Sequence, residues 1–202
     1  MKIALDESLE EIKDTGSFAA CGDHGDANPG LAIDGLGQFG MPLTEPEVRR
    51  IIASSNQAPF GKGSETIIDT SVRNTWEIDA SRISLCHPKW QAHQNQILSQ
   101  VCETLGISNG SQHVEAQLYK LLVYEQGALF KPHKDSEKTP RMFGTLVICL
   151  PCSHRGGDLH LSFNGENRTW ASSTVADWST SYYSWYADAL HEVCSSGNIS
   201  IA

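Results

Sequence analysis

The second half of the chain is a series of short, strand-length apolar runs, and this pattern constrains the fold more than any other feature. Beyond Gly110, runs at 114–124, 143–150, 159–163 and 182–193 are separated by clusters of Gly, Pro, Ser and Asn. Short strands divided by turns are typical of a β-sandwich or a jelly roll. The sequence therefore predicts a β-rich second half.

The first half carries two helix signals. Thr44 and Glu47 have the spacing of a capping box, with Pro46 in the first turn, and an apolar stripe follows before Ser54 (Val48, Ile51, Ile52). Pro88 opens the second predicted helix, whose apolar face precedes a stop at Gly106 (Trp90, Ile97, Leu98, Val101, Leu105).

Between these helices, residues 66–85 alternate in polarity and predict a strand. Its buried face is expected to carry Val72, Asn74, Trp76 and Ile78. Arg73, Thr75 and Glu77 are expected on the other face, although Arg73 could instead reach a carboxylate in a pocket.

The N-terminal region is rich in glycine. A helix-like segment at 5–12 is followed by eight glycine or proline positions up to Gly40, which predicts an irregular arm that lies over the domain. Asp23, His24 and Asp26 lie within it and are expected to be solvated turn residues. The predicted organisation is a single domain, with an arm at 1–43, a helix and strand support region at 44–112, and a core at 113–202.

Composition narrows the function classes. The chain has 202 residues, 40% of them hydrophobic, and a formal net charge of −9. An acidic chain lacks the basic surface of a nucleic-acid binder, so a small-molecule or protein substrate is expected. No secretory leader or membrane-spanning run is visible, which predicts a cytoplasmic or nuclear protein. The oligomeric state is not indicated.

Six cysteines are present, and Cys149 and Cys152 have CxxC spacing. No second such pair accompanies them, and they end an apolar run. Buried thiols are therefore expected there, in preference to zinc or redox chemistry.

The strongest chemical signal is the pair His133 and Asp135, with a third residue, His191, far downstream. On an extended strand, residues two apart project to the same face. Two histidines and one carboxylate can form the facial triad that holds non-haem Fe(II) and leaves positions open. The alternative interpretation places His133 and Asp135 in a surface turn beside three lysines (Lys131, Lys134, Lys138).

A longer pattern carries a family resemblance. Tyr124-x-x-Gly127-x-x-Phe130-x-Pro132-His133-x-Asp135 is followed by an apolar strand, by Gly156-Gly157-Asp158-Leu159, and by an aromatic strand that leads to His191. The chain resembles the Fe(II)- and 2-oxoglutarate-dependent dioxygenases, in their prolyl-hydroxylase-like branch and within a fungal-type group. The resemblance implies an α+β fold with a double-stranded β-helix, or jelly-roll, core flanked by N-terminal helices.

The resemblance also implies roles for individual residues. His133, Asp135 and His191 correspond to the iron ligands, and Tyr124 to a tyrosine that hydrogen-bonds the co-substrate. The implied cofactors are Fe(II) and 2-oxoglutarate, with ascorbate as an auxiliary reductant. The implied reaction is hydroxylation or other oxidation of a small molecule or a protein side chain. Gly156 and Gly157 correspond to a tight connection with close backbone approach.

One departure from the family pattern concerns the C-terminal residues. The family has a Lys or Arg about ten residues beyond the second histidine, whereas Ile201 is near that position here. An unpaired buried carboxylate is costly, so either another cation such as Lys120, Arg73 or Arg141 substitutes, or binding of the co-substrate is poor. The tail looks truncated, which predicts that the last strand is missing, with an open sheet edge and a frayed His191.

Two other functions remain open at this level. A catalytically impaired relative could use the fold as a binding or interaction module. A jelly-roll metalloprotein could also carry out another chemistry, because a fold does not determine a function.

Overall fold

The computed structural model describes residues 16–25, 27–62, 65–107, 113–174, 177–197 and 200–201. The predicted helix at 5–12 and the predicted turn residue Asp26 lie outside these ranges. The described part contains two α-helices, α1 (Glu45–Ala53) and α2 (Trp90–Thr104). It also contains sixteen strands: β1 (Ala19–Asp23), β2 (Leu31–Ile33), β3 (Gly37–Gln38), β4 (Asn56–Gln57), β5 (Phe60–Lys62), β6 (Glu65–Ile67), β7 (Trp76–Asp79), β8 (Ile83–Leu85), β9 (Lys120–Tyr124), β10 (Phe130–His133), β11 (Gly144–Cys149), β12 (Leu159–Phe163), β13 (Glu166–Trp170), β14 (Ser181–Tyr186), β15 (Leu190–Val193) and β16 (Ser200–Ile201).

Both predicted helices are confirmed. The capping box forms at the start of α1, where the Thr44 amide donates to Oε2 of Glu47 at 2.8 Å. Val48 and Ile51 are buried on its apolar face. The second helix, α2, ends two residues before Gly106, whose positive φ of 74° suits a glycine after a helix.

The strands form five sheets in the described residues, and none of these sheets closes into a barrel. Two of them position the site described below. One has the order β1-β14-β11, and the other has the order β10-β15-β12-β13. A third sheet, β16-β9-β7-β4, lies beside them, and the remaining two have the orders β3-β2-β8 and β5-β6.

The core is divided among three clusters of buried side chains. The first joins α1 to β2, β7 and β9 and includes Ile51, Ile78 and Val123. The second lies between the two site-bearing sheets and includes Leu161 from β12 with Tyr183 and Trp185 from β14. The third packs α2 against β1 and β14. The facing sheets are thus held together by apolar contacts that continue up to the site.

The glycine-rich region is more regular than predicted. Residues 16–43 contain β1, β2 and β3, and β1 pairs along its full length with β14. Ala19 and Ala20 are buried there. The prediction of an irregular arm is wrong for this segment, because small residues let β1 pack closely against α2 and the neighbouring sheet.

The strand predicted over residues 66–85 is broken into β6, β7 and β8, with a turn at 70–72 and a 3₁₀-helix at Ala80–Arg82. The face assignment was also wrong at Thr75, which is fully buried. Polarity alternation misplaced this threonine because its hydroxyl faces an interior polar site.

The prediction that no strand follows His191 is also wrong. Strand β16 pairs antiparallel with β9, with Ser200 opposite Tyr124 and Ile201 opposite Val123. Ile201 is 2% exposed and belongs to the first core cluster. His191 is itself buried, so neither the open edge nor the frayed ligand is observed at this position.

Within the described ranges, no helix has the length and apolar character needed to cross a membrane.

Candidate metal centre

His133, Asp135 and His191 converge in the structure although the third residue is 56 positions beyond the second by sequence number. Strands β10 and β15 pair antiparallel, and His133 lies directly opposite His191 in the register. One ligand atom from each of the three residues lies within 4.8 Å of the others. Nε2 of His191 is 3.7 Å from Oδ1 of Asp135. The alternative of a solvated surface turn at His133 and Asp135 is therefore not observed.

Both imidazole rings are oriented by backbone carbonyls. Nδ1 of His133 lies 2.8 Å from the carbonyl oxygen of Lys131, and Nδ1 of His191 lies 3.2 Å from that of Ala189. A carbonyl oxygen only accepts a hydrogen bond, so each Nδ1 carries the proton. The lone pair is then left on Nε2 of both rings, which is the arrangement that metal-binding histidines use.

The two oxygens of the Asp135 carboxylate make different contacts. Its Oδ2 accepts hydrogen bonds from the Thr145 hydroxyl at 2.7 Å and from Nε1 of Trp185 at 3.0 Å. Its Oδ1 faces His191. Thr145 on β11 and Trp185 on β14 are register partners, so adjacent strands supply both donors. One oxygen is fixed in place, and the other is directed toward the two imidazoles.

The surroundings keep both imidazoles neutral. Burial, and after it the neighbouring His191, lower the pKa of His133 to about 4. Burial also lowers the pKa of His191, against the opposing effect of the Asp135 charge. Because a protonated imidazole cannot bind a metal, these shifts leave the two rings ready to accept a cation at neutral pH.

Phe130 and Arg73 lie beside this group. The rings of Phe130 and His133 stack with their centroids 3.4 Å apart. The guanidinium carbon of Arg73 lies over the Phe130 ring, 4.6 Å from its centroid, and Nη1 donates to the Pro59 carbonyl at 2.7 Å. The positive charge of Arg73 acts on both His133 and Tyr124: it adds to the lowering of the pKa of His133 and opposes the burial that raises the pKa of Tyr124, so the guanidinium is near both.

Tyr124 is buried at the end of β9, and its burial raises its pKa. The negative charge of Asp135 raises the pKa of Tyr124 further, so the hydroxyl lies within electrostatic range of the three convergent residues. The Thr75 hydroxyl is close enough to lower this pKa. By the stricter criteria of distance and angle, however, the buried Oγ1 of Thr75 has no hydrogen-bond partner.

Two buried polar atoms at this place have unmet hydrogen-bonding capacity: Nε of Arg73 and Oγ1 of Thr75. Buried polar groups without partners are rare in folded proteins and destabilise them by about 1–3 kcal/mol each. The N–H group of Arg73 and the hydroxyl of Thr75, which lie beside Tyr124, can both hydrogen-bond an anionic ligand that carries several oxygen atoms. The residues present therefore suit both a metal ion and a carboxylate bound next to it.

The other two cations that the sequence suggested as carboxylate partners are differently engaged. Lys120 pairs with Glu77 at 2.6 Å. Arg141 is exposed in a turn with a positive φ of 72°. Neither contributes to the pKa shifts of His133 or Tyr124, whereas Arg73 contributes to both.

Sequence reasoning missed Thr145, and it included Trp185 only as part of the aromatic strand that leads to His191. The available signal for Thr145 was a single hydroxyl within the apolar run at 143–150. For Trp185 the sequence held no separate signal, because an indole that donates to a carboxylate looks like any core aromatic. Gly156 and Gly157 have positive φ angles of 66° and 75°, as the predicted tight connection requires.

No family model and no curated protein matches this chain. Solved structures do resemble it. A prolyl-4-hydroxylase from Pseudomonas putida superposes with a TM-score of 0.54 at 17% identity, covering 100% of this chain and 95% of that one. A prolyl hydroxylase from Trichoplax adhaerens, in complex with a peptide fragment of the hypoxia inducible factor oxygen degradation domain, gives a TM-score of 0.51 at 13% identity. That match covers 99% of this chain and 89% of the other. At these identities the similarity shows a shared fold.

Proposed function

We propose that this chain is an Fe(II)- and 2-oxoglutarate-dependent oxygenase built on a jelly-roll core. The observation that carries the proposal is the convergence of His133, Asp135 and His191: one ligand atom of each lies within 4.8 Å of the others, and both rings carry their proton on Nδ1. Two histidines and one carboxylate are the donor set of the facial triad. The shared fold with two prolyl hydroxylases supports the same assignment.

In this proposal His133, Asp135 and His191 hold Fe(II). When bound, iron and 2-oxoglutarate together supply the oxidising chemistry that uses O2 to hydroxylate a C–H bond. The protein contributes orientation and exclusion of water. Thr145 and Trp185 hold the Asp135 carboxylate, and Trp185 also packs its indole 4.6 Å from the His191 ring.

We assign Arg73 as the cation for the distal carboxylate of 2-oxoglutarate, with Tyr124 and Thr75 as hydroxyl partners. The support is the unpartnered Nε of Arg73 and Oγ1 of Thr75, together with the proximity of the guanidinium to Tyr124 and His133. A guanidinium can hold a carboxylate through two parallel hydrogen bonds. Ile201 lies where the family resemblance implies a basic residue, and its burial among apolar side chains excludes it from this role.

A protein side chain or a small molecule is the proposed substrate. The Trichoplax adhaerens structure contains a bound peptide, which favours a protein segment. The proposed ascorbate requirement and the fungal-type grouping stay predictions.

The test is 2-oxoglutarate turnover. Purified protein is supplied with Fe(II), 2-oxoglutarate, O2 and ascorbate, and succinate is measured without added substrate and with a library of peptides. We expect iron-dependent succinate release above background. The Asp135→Asn variant, which keeps an oxygen for Thr145 and Trp185 but loses the anionic ligand, is expected to abolish it.

The buried Ile201 favours one second candidate, a catalytically impaired relative that binds its ligand without turnover. The same assay separates the two. Binding of Fe(II) and 2-oxoglutarate without succinate release under any condition would support the impaired relative and contradict the oxygenase.

A further inference from the structure

A second group of potential metal ligands lies outside the centre described above. Among the described residues, His160, Glu192 and Cys194 bring one ligand atom each to within 4.8 Å of the others. We propose that these three residues form a separate binding site for a divalent cation of borderline softness, namely Zn²⁺. The inference does not depend on the oxygenase proposal.

The group lies on the opposite face of β15 from the iron-binding centre. Successive side chains of a strand alternate between its faces, so Glu192 points away from the side that His191 occupies. His160 on β12 is the register partner of Glu192, and Leu161 is the partner of His191. The two sites are therefore back to back across one sheet and share no residue.

Hydrogen-bonded strands hold the three residues in place. A cross-strand pair brings His160 next to Glu192, and Cys194 follows Glu192 by two positions, on the same face. The Cys194 amide donates to the Asp158 carbonyl at 2.8 Å, which fixes the backbone just beyond β15. The donors are thus positioned by backbone pairing, independently of any cation.

Two of the three separations between the donor atoms are close to those around a tetrahedral zinc ion. Nδ1 of His160 is 3.2 Å from Oε1 of Glu192, and Sγ of Cys194 is 3.4 Å from Nδ1 and 3.6 Å from Nε2 of His160. A tetrahedral zinc with ordinary bond lengths separates its nitrogen and oxygen ligands by about 3.3 Å, and its nitrogen and sulfur ligands by about 3.6 Å.

One adjustment is required. Sγ is nearly equidistant from both ring nitrogens, so the thiol lies against the ring of His160, away from the lone pair of either nitrogen. The side chain of His160 is 41% exposed, which leaves the ring room to rotate and direct one nitrogen at the cation.

The local charge favours a cation. Burial raises the pKa of the Cys194 thiol, and the negative charges of Glu192 and Asp158 beside it raise that pKa further. Among the residues that the structure describes, no lysine or arginine lies within ion-pair distance of Glu192. A group of thiol, imidazole and carboxylate suits zinc, and three protein ligands leave a fourth position for water.

The test is zinc binding to a protein whose first centre has been disabled. The background carries His133→Ala and Asp135→Asn, and ZnCl₂ is titrated against a chromophoric chelator. We expect one equivalent of zinc to bind. Cys194→Ser, Glu192→Gln and His160→Gln in this background should each weaken binding at least tenfold. Cys86→Ser, which removes an exposed thiol elsewhere, should leave it unchanged.

The absence of zinc binding to the background protein, or an unchanged affinity in Cys194→Ser, would overturn the proposal and leave a hydrogen-bonded trio. If Cys194→Ser does not fold, as judged by circular dichroism, alkylation of Cys194 in the background protein replaces it. Zinc should slow that alkylation at least tenfold and leave Cys86 unaffected. Equal rates for Cys194 with and without zinc would contradict the site.

Discussion

The orientation of the Asp135 carboxylate depends on hydrogen bonds from two individual side chains. Thr145 and Trp185 hold one of its oxygens and so determine where the other one points. Such outer contacts typically alter metal affinity by about 10- to 100-fold. We expect Thr145→Val, combined with Trp185→Phe, to weaken Fe(II) binding by that factor, measured by anaerobic titration.

Thr145→Ser is the matched control, because it retains the hydroxyl and should bind Fe(II) as the parent does. Unchanged affinity in the double variant would show that the carboxylate needs no such support.

Arg73 is the second residue whose role can be tested singly. Removing one partner of a buried charge pair typically costs about 2–5 kcal/mol. We therefore expect Arg73→Gln to raise the dissociation constant for 2-oxoglutarate at least about 30-fold, with Fe(II) affinity less affected. Isothermal titration in the presence of Fe(II), without O2, measures both. Arg141→Gln removes an exposed guanidinium and should change neither constant. Equal effects of the two variants would refute the assignment.

The lowered pKa of His133 predicts how the metal-free protein responds to acid. In the unfolded chain this imidazole takes up a proton near pH 6.5, whereas in the folded chain it does so only near pH 4. Between these values the unfolded state binds more protons, so stability falls as the pH falls. Above about pH 7 this contribution should be constant.

Urea unfolding of the metal-free protein at pH 7.5, 6 and 5 tests this dependence. We expect the midpoint of the parent to fall more steeply with acid than that of His133→Ala. Parallel decreases in both proteins would mean that His133 titrates alike in the folded and unfolded states.

The helices were predicted from the sequence more accurately than the short strands. Both helices were predicted with nearly correct bounds, because a capping box and an apolar stripe are local signals. Strands β1, β2 and β3 were missed because a glycine-rich segment becomes a strand only where a neighbouring strand is available to pair with it. The two-residue strand β16 depends on its pairing with β9, which no local pattern shows.

The connection at Gly156 is an element whose sequence requirement can be measured. Its φ is +66°, and a Cβ there would lie 2.7 Å from the Ser195 carbonyl oxygen. Gly156→Ala should therefore destabilise the fold by about 1–3 kcal/mol. Gly40→Ala, where a Cβ meets nothing within 4 Å, should be close to neutral in the same chemical denaturation experiment. Equal stability of the two variants would mean that the backbone around Gly156 can shift to accommodate a Cβ atom.

At the scale of the whole molecule, the site is assembled by two facing sheets. The residue pattern around His133 and Asp135 indicated the ligand types, and the resemblance supplied His191 as the third. Neither of them indicated that β11 and β14 supply the hydrogen-bond donors to Asp135, because this contact depends on how the sheets pack. Arg73 follows a turn and Thr75 immediately precedes β7, and this arrangement places both beside Tyr124. The alternation of polar and apolar residues had instead predicted one continuous strand here. The division into a single domain with three regions stays a prediction.

The central claim is that His133, Asp135 and His191 hold Fe(II) with adjacent positions open for a 2-oxo acid. Anaerobic addition of Fe(II) and 2-oxoglutarate tests it directly, because chelation of Fe(II) by a 2-oxo acid produces a visible charge-transfer absorption. We predict that this absorption appears with one equivalent of Fe(II) and is lost in His133→Ala and in Asp135→Asn. Retention of the full absorption in both variants, or its absence from the parent protein, would contradict the account.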